Sequence, residues 1–201
     1  MVKRAMNDVS RQQQIVDAAR KLIVKYGSEH VTIRKIAKEV GVTEGAIYRH
    51  FPSKKSIMSL MADHIADNLL GDISKAKDMA STRLETLDLT MKNHLSAIEQ
   101  RRGLSFRVIA EIITQGDKQL NKKVAETIDN YIDALRDLLA QGVASREIRE
   151  GVDLHRAAQL LFGMIQGLVT IWTLNDRNFS LVERYEEIWK LFLCVITEKA
   201  G

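Results

Sequence analysis

The segment from Thr43 to Lys55 combines small, aromatic and cationic side chains in one short run. Its small residues, Gly45 and Ala46, would let a backbone approach the edges of DNA bases, and an alanine methyl can contact a thymine methyl. The tyrosine, arginine and histidine that follow carry hydrogen-bond donors for phosphate oxygens, although an arginine can instead bind a guanine. These residue types therefore predict binding to double-stranded DNA.

Lys54 and Lys55 stand where cations weaken a helix. Ser53 is typical of a helix start, and a cation in the first turn opposes the helix dipole by about 0.3–1 kcal/mol. A helix N-terminus attracts anions, so two ammonium groups placed there would form a clamp for a phosphate. The alternative is a pair of solvated lysines without a role.

Glu44 also has two interpretations: it favours a helix N-terminus, which we prefer, or it accepts a hydrogen bond from cytosine N4.

Two short helices joined by a tight turn are predicted to position this segment. Thr32 caps a helix that Gly41 ends, because glycine adopts the left-handed backbone conformation of a sharp turn. Thr43 caps the next helix, which runs to about His50, and Pro52 prevents its continuation. This arrangement is a helix-turn-helix, and the N-terminal end of its second helix would enter a major groove.

Charge is distributed unevenly along the 201 residues. Residues 1–55 contain 12 Lys and Arg against 5 Asp and Glu, whereas the remainder contains 18 against 21. The net charge of +4 therefore combines a basic first quarter, at +7, with a slightly acidic remainder, at −3. This segregation indicates a polyanionic partner for the N-terminal part only.

The composition is that of an all-α protein, since aromatic residues are few and only one proline is present. A first helix is expected from Arg11 to Tyr26, behind a basic arm at residues 1–10 and before a stop at Gly27. Apolar spacing predicts a long helix after Ser53 and five further helices, at about 83–101, 104–115, 118–145, 153–173 and 181–199. We expect a three-helix N-terminal domain at residues 1–52, followed by a helical bundle at residues 53–201.

The run T-E-G-A-I-Y-R-H-F-P-S-K, preceded by T-I-R-K-I-A-K-E-V-G-V, resembles the DNA-binding domain of the tetracycline-repressor (TetR) family of bacterial regulators. The resemblance covers about Ile15 to Ile57. It implies a homodimer that binds a palindromic DNA operator, with a divergent C-terminal domain for ligand binding and dimerisation. One departure is Lys55, where the family often has an acidic residue. With Glu44 and Lys55 added on chemical grounds, the predicted DNA-binding residues are Thr32, Arg34, Thr43, Glu44, Gly45, Ala46, Tyr48, Arg49, His50, Lys54 and Lys55.

The helix predicted at about 153–173 is apolar on almost every side, so it must be covered on both sides. A second subunit is the cover that we favour, and Gly163 and Gly167, four residues apart, would let another backbone approach. The resemblance also places the dimer contact on the last two helices. The alternative is a monomer that buries both helices internally. The predicted dimer residues are Leu161, Gly163, Gly167, Leu168, Tyr185, Trp189 and Phe192.

The helical bundle contains enough apolar side chains to line a cavity for a lipophilic or aromatic effector. His94 and Gln166 are the candidates for polar contacts inside it. The alternative is that these apolar stripes form an ordinary core, which is the commoner case. The predicted ligand-binding residues are Met91, His94, Ile98, Phe106, Ile109, Tyr131, Phe162, Gln166 and Trp172.

Motifs for catalysis and for cofactors are absent from the sequence. It has no glycine-rich phosphate loop, no HExxH, no Gly-x-Ser-x-Gly, and no histidines at metal-ligand spacing. We therefore expect neither an enzyme nor a bound cofactor or metal. The single cysteine, Cys194, lies in an apolar stretch and is expected to be buried, which fits a reducing cytoplasm. Neither a signal-peptide core nor an apolar run of membrane length is apparent, because the longest, at 160–172, covers 13 residues.

These observations predict a ligand-responsive transcriptional repressor that binds a palindromic operator as a homodimer and is released by a lipophilic small molecule. One alternative is a DNA-binding regulator without such an effector, controlled by a protein partner or by its abundance. A helical enzyme with a basic patch is a second alternative, and an activator is a third.

Overall fold

A computed structural model of the chain describes residues 2–26 and 31–197, with side chains from residue 11 onward. The described residues form nine α-helices and no strand, which confirms the predicted all-α fold. The helices are α1 Val2–Tyr26, α2 Ile33–Val40, α3 Glu44–His50, α4 Lys54–Met79, α5 Arg83–Gln100, α6 Leu104–Gln115, α7 Lys118–Ala144, α8 Leu154–Leu174 and α9 Leu181–Ile196.

Most helix ends lie close to their predicted positions, because side-chain caps mark them in the sequence. Thr82, Asp153 and Ser180 each accept a hydrogen bond from the backbone N–H three residues later, at the starts of α5, α8 and α9. The expected arm at residues 1–10 is wrong, since α1 already begins at Val2. The predicted stop at Gly27 lies outside the described residues.

The chain divides into two compact units, which are described separately. The first comprises residues 1–65 and 104–124, and the second comprises residues 66–103 and 125–201. The helices α4 and α7 each contribute residues to both units. The predicted boundary between residues 52 and 53 stays a prediction.

The first unit is organised around the packing of α1 against α2, α3 and α6. Ile15 and Ile23 of α1 are buried together with Ile36 of α2 and Ile47 of α3. The helix α6 is joined to the end of α1 by Arg107, whose guanidinium donates to the carbonyl oxygens of Ile23 and Val24, each at 3.4 Å. Because the last carbonyls of a helix have no partner within it, the arginine stabilises the C-terminal end of α1.

The second unit is held by the packing of α9 against α5 and α8. Glu147, just after α7, accepts hydrogen bonds from the backbone N–H groups of Arg83 and Leu84 at 3.0 and 2.9 Å, so it caps α5. Burial alone would raise the pKa of Glu147. Hydrogen bonds from the N–H of Leu84 and the hydroxyl of Ser145 outweigh it and lower the pKa to about 2.

Among the described residues, α8 is long and apolar enough in length and composition to cross a membrane. Such a composition is also found in the core helices of bundles. Here α8 packs against α9, and its buried residues include Leu161, Ile165 and Leu168. Its apolar character is thus accounted for in part by its place in the second unit.

Candidate nucleic-acid interface

The turn between α2 and α3 depends on one glycine. Gly41 has φ 77° and ψ 34°, a left-handed conformation that is strained for residues with a side chain. Its N–H donates to the carbonyl of Lys38 at 3.3 Å, and the N–H of Val42 donates to that of Ala37 at 2.9 Å. These two bonds satisfy the last carbonyls of α2 and end the helix at Val40.

Capping threonines set the start of both helices. The hydroxyl oxygen of Thr32 accepts from the N–H of Lys35, and that of Thr43 accepts from the N–H of Ala46, both at 3.2 Å. Both threonines have an extended backbone, as residues that precede a helix do. The predicted helix-turn-helix is therefore formed as expected.

One side of α3 is buried and the other is exposed. Ile47 and the following Phe51 are buried, and the N–H of Phe51 donates to the carbonyl of Ile47 at 2.9 Å. Tyr48 keeps 50% of its surface exposed, and Arg49 is exposed beside it. Of the residues predicted to contact DNA on this helix and its cap, Thr43, Glu44, Gly45, Tyr48 and Arg49 are exposed, whereas Ala46 and His50 are half-buried.

Gly45 lies in the first turn of α3 without a structural need for glycine. A β-carbon added there would have Thr43 Oγ1, at 3.9 Å, as its nearest neighbour. Glycine in a helix is less favourable than alanine by roughly 0.5–1 kcal/mol. A residue that the fold does not require and that weakens the helix is well suited to a close approach by a partner.

The start of α2 presents further cationic residues. Thr32, Arg34 and Lys35 are exposed. The ammonium groups of Lys25 and Lys35 lie 5.0 and 5.7 Å from the centre of the Tyr26 ring, so they pack over its face. This end of α2 therefore carries exposed cations, as α3 does at Arg49.

Lys54 and Lys55, the first two residues of α4, are engaged by acidic groups. Lys54 Nζ lies 3.1 Å from Glu111 Oε1 of α6, and Lys55 Nζ lies 2.7 Å from Asp117 Oδ2, just before α7. Lys55 Nζ also donates to Gln119 Oε1 at 2.9 Å. Both lysines are therefore partly exposed and paired with acidic groups, so they are not simply solvated, and their contact with a phosphate stays a prediction.

A cleft of about 390 Å³ lies along α4 beside these lysines. Lys55, a member of one of the two ion pairs, borders this cleft. Its lining residues are Ser53, Lys55, Ser56, Ser59, Gln119, Leu120 and Lys123.

Three of the predicted ligand-binding residues form a ring cluster in the second unit. The ring of Tyr131 lies 6.0 Å from that of His94 and 6.3 Å from that of Phe162, the latter in an edge-on arrangement. Met91, Ile98 and Trp172 are buried in the same unit, and Gln166 is half-buried. Phe106 and Ile109 lie on α6 and belong to the first unit, so the structure does not group them with the others.

The ring cluster contains polar groups whose pKa values are shifted by burial. Burial lowers the pKa of His94 to about 4, and the charge of Arg101 adds to this, so the imidazole is neutral at pH 7. The hydroxyl of Tyr131 is buried without a hydrogen-bond partner, and its pKa is raised by burial and by the charge of Asp72. Burial also raises the pKa of Asp72, a residue that the sequence interpretation did not select. An unpartnered hydroxyl beside apolar rings is suited to a hydrogen bond with a bound molecule.

The last two helices carry exposed apolar residues, but most of these are not the residues predicted for the dimer contact. Gly163 and Gly167 are exposed, as predicted. The other five predicted dimer residues are buried in the core of the second unit: Leu161, Leu168, Tyr185, Trp189 and Phe192. The exposed apolar residues on these helices are Leu160, Ile171 and Leu174 of α8 and Leu191 and Val195 of α9.

Cys194 lies on the same exposed side of α9, so the expectation of a buried thiol is wrong. Two apolar stripes follow this helix, and the one that includes Tyr185 and Phe192 packs into the core. Cys194 falls between Leu191 and Val195 on the other stripe. The apolar sequence around it was therefore no sign of burial.

Sequence reasoning missed the acidic partners of the α4 lysines, Glu111 and Asp117, because they lie more than fifty residues further along the chain. Spacing alone gave no signal for them. Among the described residues, no group of three or more His, Cys, Asp or Glu side chains is placed to hold a metal ion.

Family models match two consecutive parts of the chain. The model for bacterial regulatory proteins of the tetR family matches residues 15–61, and the model for the C-terminal region of YsiA-like proteins matches residues 62–195. The first match contains α2, α3 and the start of α4.

Relatives that are similar over most of the chain include a metabolism regulator and a nucleoid occlusion factor. A fatty acid metabolism regulator protein of Bacillus subtilis (strain 168) is 32% identical over 187 residues, which are 92% of this chain and 95% of that protein. The nucleoid occlusion factor SlmA of Vibrio cholerae is 27% identical over 188 residues, covering 91% and 94% of the two chains.

Similar solved structures support the same assignment. The transcriptional regulator FadR of Bacillus subtilis, in complex with stearoyl-CoA, has a TM-score of 0.80 at 31% identity, over 92% of this chain and 98% of that one. The fatty acid degradation regulator FadR of Bacillus halodurans has a TM-score of 0.80 at 25% identity, over 90% and 97%. The suspected resemblance is confirmed: this chain belongs to the tetR family of bacterial regulatory proteins, which are DNA-binding transcriptional regulators.

Proposed function

We propose that the protein is a repressor that binds a palindromic operator as a homodimer and is released by a lipophilic effector. The observation that carries this proposal is the exposed face of α3, where small and cationic residues are held over a buried anchor. Residues 1–52 form the DNA-binding domain in this proposal, and residues 53–201 bind the effector and form the dimer.

The proposed DNA contact places the N-terminal half of α3 in a major groove. Gly45 and Ala46 approach base edges, while Tyr48, Arg49 and the start of α2 bind phosphates. Two subunits related by a twofold axis would present two such helices, so the operator would be an inverted repeat with half-sites about one helical turn apart or more.

The proposed dimer uses the uncovered face of α8 and α9. Leu160, Gly163, Gly167, Ile171 and Leu174 recur at intervals of three or four residues, so they form one stripe along α8. A β-carbon added at either glycine would meet nothing within 4 Å in the protomer, which leaves room for a second helix. An apolar stripe of this length is costly in water and is typical of a subunit interface.

The proposed effector is a long-chain acyl thioester of coenzyme A. The relative of known structure from Bacillus subtilis binds stearoyl-CoA, and it is similar to this chain over nearly all of its length. The ring cluster of His94, Tyr131 and Phe162 supports a contact with this ligand in the second unit, since it combines aromatic surface with an unpartnered hydroxyl. Met91, Ile98, Gln166 and Trp172, which belong to the same unit, are the other residues proposed to line the site.

Effector binding is proposed to act on DNA affinity through α4, one of the two helices that contribute to both units. A coupling of roughly 1–3 kcal/mol would suffice for a change of five- to 150-fold in operator affinity. This role as a cytoplasmic regulator needs no catalytic residue, and we propose that the protein is not an enzyme. Its relatives named above are regulators and a nucleoid occlusion factor.

Replacing Gly45 with alanine should separate DNA contact from folding. The added methyl has space within the protein and favours the helix, so the free energy of unfolding should rise by roughly 0.5–1 kcal/mol. The same methyl would collide with a base edge, at a cost of roughly 1–3 kcal/mol, so affinity for a duplex selected by the wild-type protein should fall about tenfold or more. Urea unfolding and fluorescence anisotropy measure the two effects.

The matched control is Gly71→Ala, which places the same methyl in α4 with no neighbour within 4 Å. It should leave DNA affinity unchanged. Equal affinity of the Gly45→Ala protein and the wild type would contradict the proposed approach of α3 to the bases.

Replacing Gly167 with leucine should prevent dimerisation without unfolding the protomer. The new side chain would project from an exposed position on α8 and keep a second helix away. Sedimentation equilibrium should show a dimer for the wild type and a monomer, or a dissociation constant raised at least about tenfold, for Gly167→Leu. Ala140→Leu adds a leucine at an exposed position of α7 and serves as the control. A dimer that persists unchanged in Gly167→Leu would place the interface elsewhere.

Replacing Tyr131 with phenylalanine removes the unpartnered hydroxyl and little else. Since a buried hydroxyl without a partner is unfavourable, the ligand-free protein should be as stable as the wild type or more stable by about 1 kcal/mol. Affinity for stearoyl-CoA, measured by calorimetry, should fall roughly five- to tenfold because one hydrogen bond is lost.

Tyr185→Phe is the comparison, because that tyrosine is also buried in the same unit with an unpartnered hydroxyl but is not among the residues proposed to line the site. Unchanged affinity in Tyr131→Phe would remove this hydroxyl from the site. If the wild-type protein binds none of a series of acyl-CoA thioesters, the regulator responds to a protein partner or to its own abundance instead.

A further inference from the structure

The first two residues of α4 meet carboxylates that are fixed in place by other bonds. Asp117 Oδ1 accepts from the backbone N–H groups of Gln119 and Leu120, both at 3.0 Å, so it caps α7 while its other oxygen binds Lys55. The contact with Lys55, followed by that with the N–H of Leu120, lowers the pKa of Asp117, so this carboxylate stays ionised well below neutral pH. Asp117 is therefore a permanent anion at a defined position.

Glu111 is the corresponding partner of Lys54. It lies on α6, and its side chain is only 12% exposed. Gln115, one turn later on the same helix, donates to the oxygen that also binds Lys54. The helix itself is joined to α1 through Arg107, so Glu111 belongs to the same compact unit as α2 and α3.

A lysine that binds a carboxylate cannot bind a phosphate with the same hydrogens. A phosphate that approaches Lys54 or Lys55 must either displace the carboxylate or share the ammonium group with it, and in both cases a carboxylate lies near the anionic backbone. Both ion pairs are partly exposed, and one borders the cleft along α4, so exchange requires no unfolding. Such pairs are weak enough for a phosphate to displace but reduce the affinity that the lysines could otherwise give.

We propose that Glu111 and Asp117 set the affinity for DNA by competing with phosphates for Lys54 and Lys55. This inference rests on the proposed function, because it assigns the two lysines to the DNA-binding surface. The acidic residues act as positioning residues that limit binding, and do not themselves contact DNA. A change in α6 that withdrew Glu111 would therefore strengthen binding, and one that brought it closer would weaken it.

A third ion pair involving α4 joins this helix to α7 and serves as a comparison for the pairs of Lys54 and Lys55. Lys123 Nζ lies 2.6 Å from Asp63 Oδ1 and donates to Ser59 Oγ at 2.8 Å. Asp63 is nine residues after Lys54 along α4, which is roughly 13 Å of helix. Removing this carboxylate weakens a contact between α4 and α7 but leaves Lys54 and Lys55 paired with Glu111 and Asp117.

The test uses Glu111→Gln and Asp117→Asn, singly and together, in the full-length protein. Asparagine retains the capping oxygen at residue 117, and glutamine retains the shape of residue 111, so both substitutions remove charge without removing a cap. Binding is measured by fluorescence anisotropy on one fixed duplex over a series of salt concentrations. The double variant should bind about three- to tenfold more tightly than the wild type, with a steeper dependence on salt, because released carboxylates no longer take up cations.

Two controls test whether a rise in DNA affinity comes instead from the change in net charge or from a weaker contact between helices. Asp129→Asn with Glu150→Gln makes the same change in net charge at exposed positions elsewhere, and Asp63→Asn breaks the third pair. Both should change affinity by less than about twofold. In a background of Lys54→Ala and Lys55→Ala, the substitutions at Glu111 and Asp117 should raise the affinity by less than about twofold, because only the general repulsion between carboxylate and phosphate remains to be removed. Thermal unfolding of every variant checks that the fold is retained.

The inference would be overturned if the double variant bound DNA no more tightly than the wild type. It would also be overturned if a threefold or larger rise in DNA affinity remained in the absence of the two lysines, or appeared equally in either control. Wild-type protein that shows no salt-sensitive binding to the duplex would overturn the proposed function and, with it, this inference.

Discussion

The DNA-facing surface depends on the burial of Ile47 and Phe51 under α3. This helix has seven residues, far fewer than the roughly 12–15 that a helix needs to be even marginally stable alone in water. Its stability must come from tertiary packing on its inner side, from the Thr43 cap at its start, and from the Gly41 turn that sets its direction. The exposed outer face can therefore carry a residue such as Gly45, which the fold does not require and which weakens the helix.

The unit that contains α2 and α3 also contains acidic residues that form ion pairs with the lysines at the start of α4. The N-terminal quarter of the chain is strongly basic, but α6 and the start of α7 contribute Glu111 and Asp117 to the unit that contains α2 and α3. Electrostatic affinity for DNA is thus the balance of two sets of charges. A regulator that must leave its operator benefits from such a balance, since binding that is too tight cannot be reversed by a coupling of a few kcal/mol.

Local chemistry explains which features the sequence could predict. Thr32, Thr43, Gly41 and Pro52 act on their immediate neighbours, so the helix-turn-helix and most helix ends were predictable from one segment at a time. The ion pairs of Lys54 and Lys55 join residues far apart in sequence, and no periodicity reveals such contacts.

The exposed apolar residues of α8 and α9 could be predicted from the sequence only in part. Periodicity showed that both helices were apolar, yet α9 has two apolar stripes, and only packing against α5 and α8 determines which one is buried. Tyr185 and Trp189 were therefore assigned to the outside, and Cys194 to the inside, in error. The ring cluster was partly predicted, because His94, Tyr131 and Phe162 were all among the residues predicted from the sequence to line a ligand cavity. Asp72 was missed because a single acidic residue on a long helix usually lies at the surface.

Binding of two symmetric α3 helices to one operator can be measured by hydroxyl-radical footprinting of the wild-type protein on a duplex that it selects from a random pool. We expect two protected backbone segments, related by a dyad and separated by about one helical turn or more, with the protected sequences forming an inverted repeat. A single protected segment, or uniform protection without sequence preference, would contradict this expectation.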